Sequence, residues 1–298
     1  MNHEDSVNFL TRLLANSLAL LFWALPTKVL WWASCFLAWL WFDVFRIRRW
    51  TVLRNLTIAF PEKSHSERLG LARQSMRYLC YNFFEFCMLP RMTKSWVDQN
   101  IIFHGLDIYA QAVAQKKGVL LLSLHIGNGD FGIATLALLN LRMNLISKRF
   151  KNAFLNQFWF GVREALGTRF LEAHGPSLPF DILKACKANQ SVVFVIDQFM
   201  GKPYGISSRF FGRKTGTAYG LALFAMKTKA PVLPVYTYRD EHFKTHVFFD
   251  PPISWQANED KDLQISQMTQ RYNDEVERIV RKKPEQWMWV HRRWKKWE

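Results

Sequence analysis

The sequence predicts an α/β fold: a mixed, largely parallel sheet flanked by helices on both faces, preceded by an N-terminal apolar helical segment. Two observations carry this expectation. Three apolar runs of strand length, Gly118 to Leu124, Ser191 to Ile196 and Ala230 to Tyr238, each adjoin a stretch of helical character, and such alternation builds parallel sheets. Ahead of them, two uncharged stretches, Leu13 to Leu25 and Val29 to Phe42, are separated only by Pro26, Thr27 and Lys28.

The apolar pair comes first in the chain. Each half is short for a transmembrane helix, which takes about 20 apolar residues. Joined through Pro26, the halves predict a kinked span or a re-entrant hairpin, and Trp31, Trp32, Trp39 and Trp41 suit a membrane–water boundary. The expected division is a membrane-anchoring segment, 1–45, and one further domain, 46–298. Arg46, Arg48, Arg49 and Arg54 follow the anchor directly, and the positive-inside rule puts that domain on the cytoplasmic side. Glu4 and Asp5 stand where a signal peptide carries basic residues, and no small-residue cleavage site follows, so the segment is expected to stay.

Inside the domain, Leu69, Ala72, Met76, Leu79, Phe83 and Phe86 recur at three- and four-residue steps and predict a buried helix from Ser66 to Leu89. Gly118 to Leu124 reads as a strand covered on both faces, followed by a helix from Asp130 to Leu141. A helix from Phe180 to Ala188 leads into the second strand, which ends at Asp197 and Gln198. A helix from Ala218 to Lys227 leads into the third, and Pro231 and Pro234 mark that strand as outer or irregular.

A net charge of +16 calls for an anionic partner, and 13 Trp point to an interface more than to a soluble core. Cys35, Cys80, Cys87 and Cys186 form no Cys-x-x-Cys pair, which argues against both a zinc site and a disulfide framework. No Gly-x-Ser-x-Gly elbow occurs, which argues against a serine hydrolase.

The segment from Leu121 to Phe131 carries the chemistry. His125 follows a buried strand, Gly127 and Gly129 permit a tight turn, and Asp130 stands five positions on. That turn can return Asp130 to one imidazole nitrogen while the other serves as a base, and Asp130 can also cap the helix it opens. Asp197, at the end of a neighbouring strand, is the alternative partner, since sites in α/β sheets gather at carboxyl strand ends. The cations placed to meet an oxyanion or an acceptor phosphate are Lys148, Arg149, Arg163, Arg213 and Lys214.

These residues resemble the bacterial late acyltransferases of lipid A biosynthesis, the lauroyl and myristoyl transferases, which are lysophospholipid-acyltransferase-like. His125, Gly127, Asn128 and Asp130 match their His-x4-Asp/Glu box, with Asp where Glu is usual. The likeness runs on through Asn55 to Pro61, through Val195 to Gln198 with Gly201, and through Phe210 to Gly212 with Thr217, Gly220 and Ala222. It closes with Ala230 to Pro234 and with the C-terminal Pro284 to Lys295. The resemblance implies a glycerolipid-acyltransferase-like fold, with 46–298 as the acyltransferase domain. It further implies an acyl carrier protein thioester as donor, a glycolipid hydroxyl as acceptor, the inner membrane as location, and no metal or organic cofactor. His125 is then the base, Asp130 or Asp197 its acid partner, and Asn128, Arg149, Arg163, Gln198 and Arg213 the substrate-binding set. Acylation of another lipid, of the phosphatidylinositol mannoside or ornithine-lipid type, remains open, as does a non-enzymatic basic membrane protein.

Near the C-terminus, Arg281, Lys282, Lys283, Arg292, Arg293, Lys295 and Lys296 interleave with Trp287, Trp289, Trp294 and Trp297. Such a mixture serves nucleic acid or a membrane surface. The apolar N-terminal pair decides for membrane and against nucleic acid.

Overall fold

The computed structural model describes residues 3–256 and 258–297, with side chains from 9 onward. The side chains of Glu4 and Asp5 therefore lie outside the described residues. Helix α1 (His3–Ala24) and helix α2 (Thr27–Trp39) meet at Pro26 and are bent by 114° to each other. The pyrrolidine ring disfavours helical backbone in the residue before it, so the first helix ends there. Among the described residues no single helix is long and apolar enough to cross a membrane, and only the bent pair passes that test jointly. After a π-helical turn, Leu40–Val44, the chain reverses through left-handed Arg46 and Arg48 into α3 (Arg49–Ala59).

Helix α4 (His65–Met88) is the helix expected over 66–89, and the Ser64–Glu67 capping box sets its start. Both N-terminal helices pack on it: Phe22 lies 4.9 Å from Phe84, and Trp31 lies 5.2 Å from Tyr78, centroid to centroid. Their outer surface stays open and apolar, with Trp32 74% and Phe36 57% exposed.

Helix α5 (Lys94–Asn100) then leads into the strands: β1 (Ile101–His104), β2 (Val119–Ser123), β3 (Met143–Ser147), β4 (Arg169–Glu172) and β5 (Ser191–Val195). The hairpin strands β6 (Gly205–Phe210) and β7 (Arg213–Ala218) follow, then β8 (Val232–Arg239) and β9 (Thr245–Phe249). Seven of the strands form one sheet in the order β1-β9-β8-β2-β5-β3-β4, in which only β8 and β9 run antiparallel. The architecture is thus mixed α/β with a largely parallel sheet. Strand β2 lies inside it, and its side chains divide between two cores. Leu120 and Leu122 face a cluster containing Ile182, Ala222 and Val276, whereas Val119 and Leu121 face one containing Tyr109, Phe131 and Ala134. Burial on both faces is why this strand reads as an unbroken apolar run.

The third expected strand is a correction. Strand β8 is neither outer nor irregular: it lies between β9 and β2 and is buried at every residue. The Pro234 carbonyl accepts from the Asp250 N–H at 3.1 Å, so its missing N–H faces the same side, where the chain has just left β9. An interior strand tolerates proline at the point where one neighbour runs out.

The remaining helices are α6 (Leu106–Ala114), α7 (Gly129–Leu138), α8 (Ala153–Asn156), α9 (Val162–Ala165), α10 (Leu178–Lys187), α11 (Gly220–Thr228) and α12 (Lys261–Lys282). A π-helical turn, Gln157–Gly161, joins α8 to α9. The C-terminal strap after α12 brings a second correction. Trp287, Trp289 and Trp294 do not form a docking stripe but are buried against the β6–β7 hairpin, with Trp294 5.5 Å from Phe210. Each indole N–H finds an internal acceptor, in Asp197, the Pro284 carbonyl and the Phe210 carbonyl respectively, which lets so much tryptophan leave the surface.

Candidate active site

The site is built on the turn between β2 and α7. Gly127 has a left-handed backbone, φ 57°, and a Cβ there would stand 2.2 Å from the Thr237 carbonyl oxygen. Glycine is therefore required for the turn to lie against β8. The cap of α7 is Asn128, not Asp130 as expected: its Oδ1 accepts the Phe131 N–H at 3.1 Å. The Asn128 amide donates to Glu85 at 2.9 Å and to the Asn82 carbonyl at 3.2 Å. Glu85 is in turn ion-paired with Arg239, and both are buried. Asn128 thus holds the turn through internal bonds.

The partner of His125 is Asp197. Imidazole Nδ1 lies 2.8 Å from Asp197 Oδ1, and the His125 backbone N–H donates to Oδ2 at 2.9 Å. The Trp287 indole N–H reaches the same Oδ2 at 2.7 Å. Parallel pairing of Ser123 with Val195 sets the two strand ends level, so residues two positions beyond each meet. The Asp197 side chain is wholly buried whereas His125 keeps 31% of its surface open. Burial alone would raise the Asp197 carboxyl, yet the charge and hydrogen bonds of His125 outweigh it and hold the group well below the usual carboxylate range. Burial works against the imidazolium too, and is outweighed by the charge and hydrogen bond of Asp197 and the charge of Asp130, so His125 is raised above its ordinary value. With Nδ1 donating to the carboxylate, Nε2 carries the free lone pair.

Asp130 does not return to the ring. The first turn of α7 carries it towards Arg163, with which it is ion-paired, and its side chain stays 34% exposed. The Arg163 guanidinium is buried in a box of Phe86, Trp159, Phe160 and Phe170, and its Nε donates to the Trp159 carbonyl at 2.9 Å. Its Nη2 has no hydrogen-bond partner. Arg149 is open to solvent, bonded to Glu164 at 2.8 Å. Arg213 is exposed at the tip of the β6–β7 hairpin, three residues before Gly216, where the buried Arg293 joins the hairpin to the Gln198 carbonyl.

The C-terminal strap supplies residues that the sequence reading leaves without a role. Met288 N–H donates to the His125 carbonyl and Gly127 N–H to the Gln286 carbonyl, each at 3.0 Å, pinning the strap to the turn. Asn55 holds the far side of the strap through the carbonyls of Trp289 and His291, at 2.8 and 2.6 Å. His291 then stands 5.2 Å from His125 between ring centroids, and the Gln198 amide nitrogen lies between them, 3.3 Å from His125 Nε2 and 3.0 Å from His291 Nε2. Burial, with His125 and Arg48 adding to it against Asp197, pushes His291 down to about 4. The C-terminal block was visible as a likeness, but no spacing rule connects positions 125 and 291. Among the described residues no group of three or more His, Cys, Asp or Glu side chains is arranged to hold a metal ion.

A buried carboxylate behind an imidazole, at the carboxyl ends of two central parallel strands, is an arrangement for general-base catalysis on an α/β scaffold. The chain belongs to the bacterial lipid A biosynthesis acyltransferase family, whose model matches residues 4–296, and is an acyltransferase. It is similar to the lipid A biosynthesis lauroyltransferase of Escherichia coli (strain K12), at 25% identity over 287 residues, 91% of this chain and 87% of that protein. Lipid A biosynthesis acyltransferase 2 of Shigella flexneri is 24% identical over 245 residues, 82% of this chain and 76% of its own length. A phosphatidylinositol mannoside acyltransferase of Mycobacterium tuberculosis (strain ATCC 25618 / H37Rv) is 29% identical over 138 residues, 46% of this chain and 44% of that protein.

Proposed function

We propose that the chain moves a fatty acyl group from a thioester on acyl carrier protein to a hydroxyl of a lipid A precursor, with His125 as general base. The observation that carries this reading is the imidazole itself, with Nδ1 on the buried Asp197 carboxylate and Nε2 on the open side. Nε2 takes the hydroxyl proton as that oxygen attacks the thioester carbonyl. The oxyanion collapses, the carbon–sulfur bond breaks, and the imidazolium returns its proton to the departing thiolate. Asp197 offsets the transient charge on the ring, with Asp130 adding to the same field from beside Arg163. The N-terminal end of α7 favours negative charge developing near it.

No covalent enzyme intermediate is needed, because a thiolate leaves readily. Ser123 is buried, and burial pushes the Cys186 thiol up to about 11, so neither is suited to attack. Arg149 and Arg213 are open cations suited to the acceptor's anionic groups or to an acidic carrier.

In this reading the α1–α2 pair anchors the enzyme to the inner membrane, with the rest of the chain on the cytoplasmic side. Support comes from the exposed Trp32 on α2 and, directly after it in the chain, the exposed Phe45 and Trp50 interleaved with the exposed Arg46, Arg48 and Arg54, a mixture of apolar and cationic side chains suited to an anionic lipid surface. The test is transfer by the purified membrane-bound enzyme from an acyl carrier protein thioester to a lipid A precursor. His125→Ala is expected to lower the rate about 10³-fold with membrane association unchanged. Undiminished transfer would assign the base elsewhere. Mass spectrometry of lipids from a deletion strain reports the acceptor. Unaltered lipid A with an acyl chain missing from another glycolipid would move the reading to the substrate type named for the mycobacterial relative.

A further inference from the structure

We infer that His291 is a positioning residue for the base: by accepting one N–H of the Gln198 amide, it turns the other N–H onto His125 Nε2 and so selects the reactive tautomer. This rests on His125 being the base, as proposed above, and adds a third group to the His125–Asp197 pair.

The argument is one of donors and acceptors. An amide nitrogen only donates, and Gln198 Nε2 has two protons and two imidazole nitrogens within reach, His125 Nε2 at 3.3 Å and His291 Nε2 at 3.0 Å. Both ring nitrogens must then offer lone pairs. For His125 this is the tautomer that Asp197 also demands, with its proton on Nδ1. The opposite orientation of the amide would present Oε1 to the two rings and would require protons on both Nε2 atoms. In that state His125 is an imidazolium and no base. The protonation of His291 therefore decides which face of the amide His125 sees.

The fold keeps His291 neutral, so that its Nε2 is able to accept. The groups around it are His125 at the end of β2, Asp197 beyond β5, and Arg48 at the start of α3; burial is the largest influence, and Arg48, joined by His125 whenever that ring is charged, helps it outweigh the carboxylate. The backbone is fixed as tightly as the ring, since Asn55 and the Arg293 N–H both donate to the His291 carbonyl. Gln198 is fixed at its own carbonyl by Arg293 Nη1, at 3.2 Å. The amide is exposed and its bond to His125 is the longer of the two, so an incoming hydroxyl can displace it while His291 retains its hold.

The test compares the pH dependence of kcat/KM in His291→Phe, which keeps a flat ring without an acceptor, and His291→Gln, whose Oε1 falls near the position of Nε2. Without the acceptor, Oε1 of Gln198 turns to His125 and stabilises its cation. His291→Phe is then expected to lower kcat about tenfold and to move the acid limb up by about one pH unit, with KM for the acceptor within about twofold. His291→Gln restores most of both. His291→Asn, whose oxygen sits nearer the main chain, behaves as the Phe variant and carries the comparison if that variant does not fold. In a Gln198→Leu background, His291→Phe changes the profile no further. An unmoved acid limb in both Phe and Asn variants, or full multiplication of the two effects, would overturn the inference. Transfer that survives His125→Ala would instead overturn the parent reading, so the two failures are distinct.

Discussion

Asp197 and Asp130 stand on two sides of one strand-end turn, and their surroundings differ in what each carboxylate meets. Asp197 is wholly buried and takes three hydrogen bonds, two of them from His125. Asp130 is a third exposed and faces a guanidinium that aromatic rings enclose. One carboxylate has its charge matched by a group that gains and loses a proton, the other by a group that never does. The first pair can cycle through a reaction, whereas the second provides a fixed dipole beside it. Distance along the chain does not separate the roles, since the partner of His125 is 72 residues away and the non-partner five.

The comparison is broken most severely at Asp197. Asp197→Asn keeps the shape, but its amide can donate to Nδ1 and so favours the wrong tautomer. The rate of acyl transfer should fall about 10³- to 10⁴-fold, and any residual acid limb should move down, because burial is then opposed only by the charge of Asp130. In the intact enzyme the base form dominates only above the raised His125 value. The acid limb of kcat/KM should therefore lie above the ordinary histidine value of about 6.5. A limb at or below that value would contradict the pairing.

At Asp130 the expected damage is of another kind. Asp130→Asn leaves a buried cation unmatched and should cost about 2 kcal/mol in denaturant unfolding, at the low end for such a pair because the carboxylate is partly solvated. Its loss of rate should be smaller than that of Asp197→Asn; equal losses would erase the distinction drawn here. The mildest change is Trp287→Phe, which removes one of the donors to Asp197 and should slow transfer about tenfold, in line with one charge-assisted hydrogen bond. An unchanged rate would show that the two His125 bonds suffice.

Much of the scaffold was legible in the residues. The strand ending before His125 showed itself because both its faces are apolar, and α4 because its core residues repeat at helical steps. The interior place of strand β8 is not legible in its residues, because its proline reflects where β9 stops and not a property of the strand itself. The burial of Trp287 and Trp294 is hidden in the sequence, because their acceptors come from distant segments of the chain. Asp130 as partner failed for a local reason: Asn128 caps α7 and starts the helix early enough to swing the carboxylate away.

What the sequence by itself determined is the part that depends on near neighbours: the apolar strand, the glycine turn, the histidine at its head and the ordered blocks of the family. Those follow from burial periodicity and backbone permission, which a short window of residues contains. Only the tertiary structure decided which carboxylate, indole, amide and second imidazole surround His125, because Asp197, Gln198, Trp287 and His291 reach it through strand register and a C-terminal strap. Hydrogen bonding acts over about 3 Å in space and takes no account of separation along the chain.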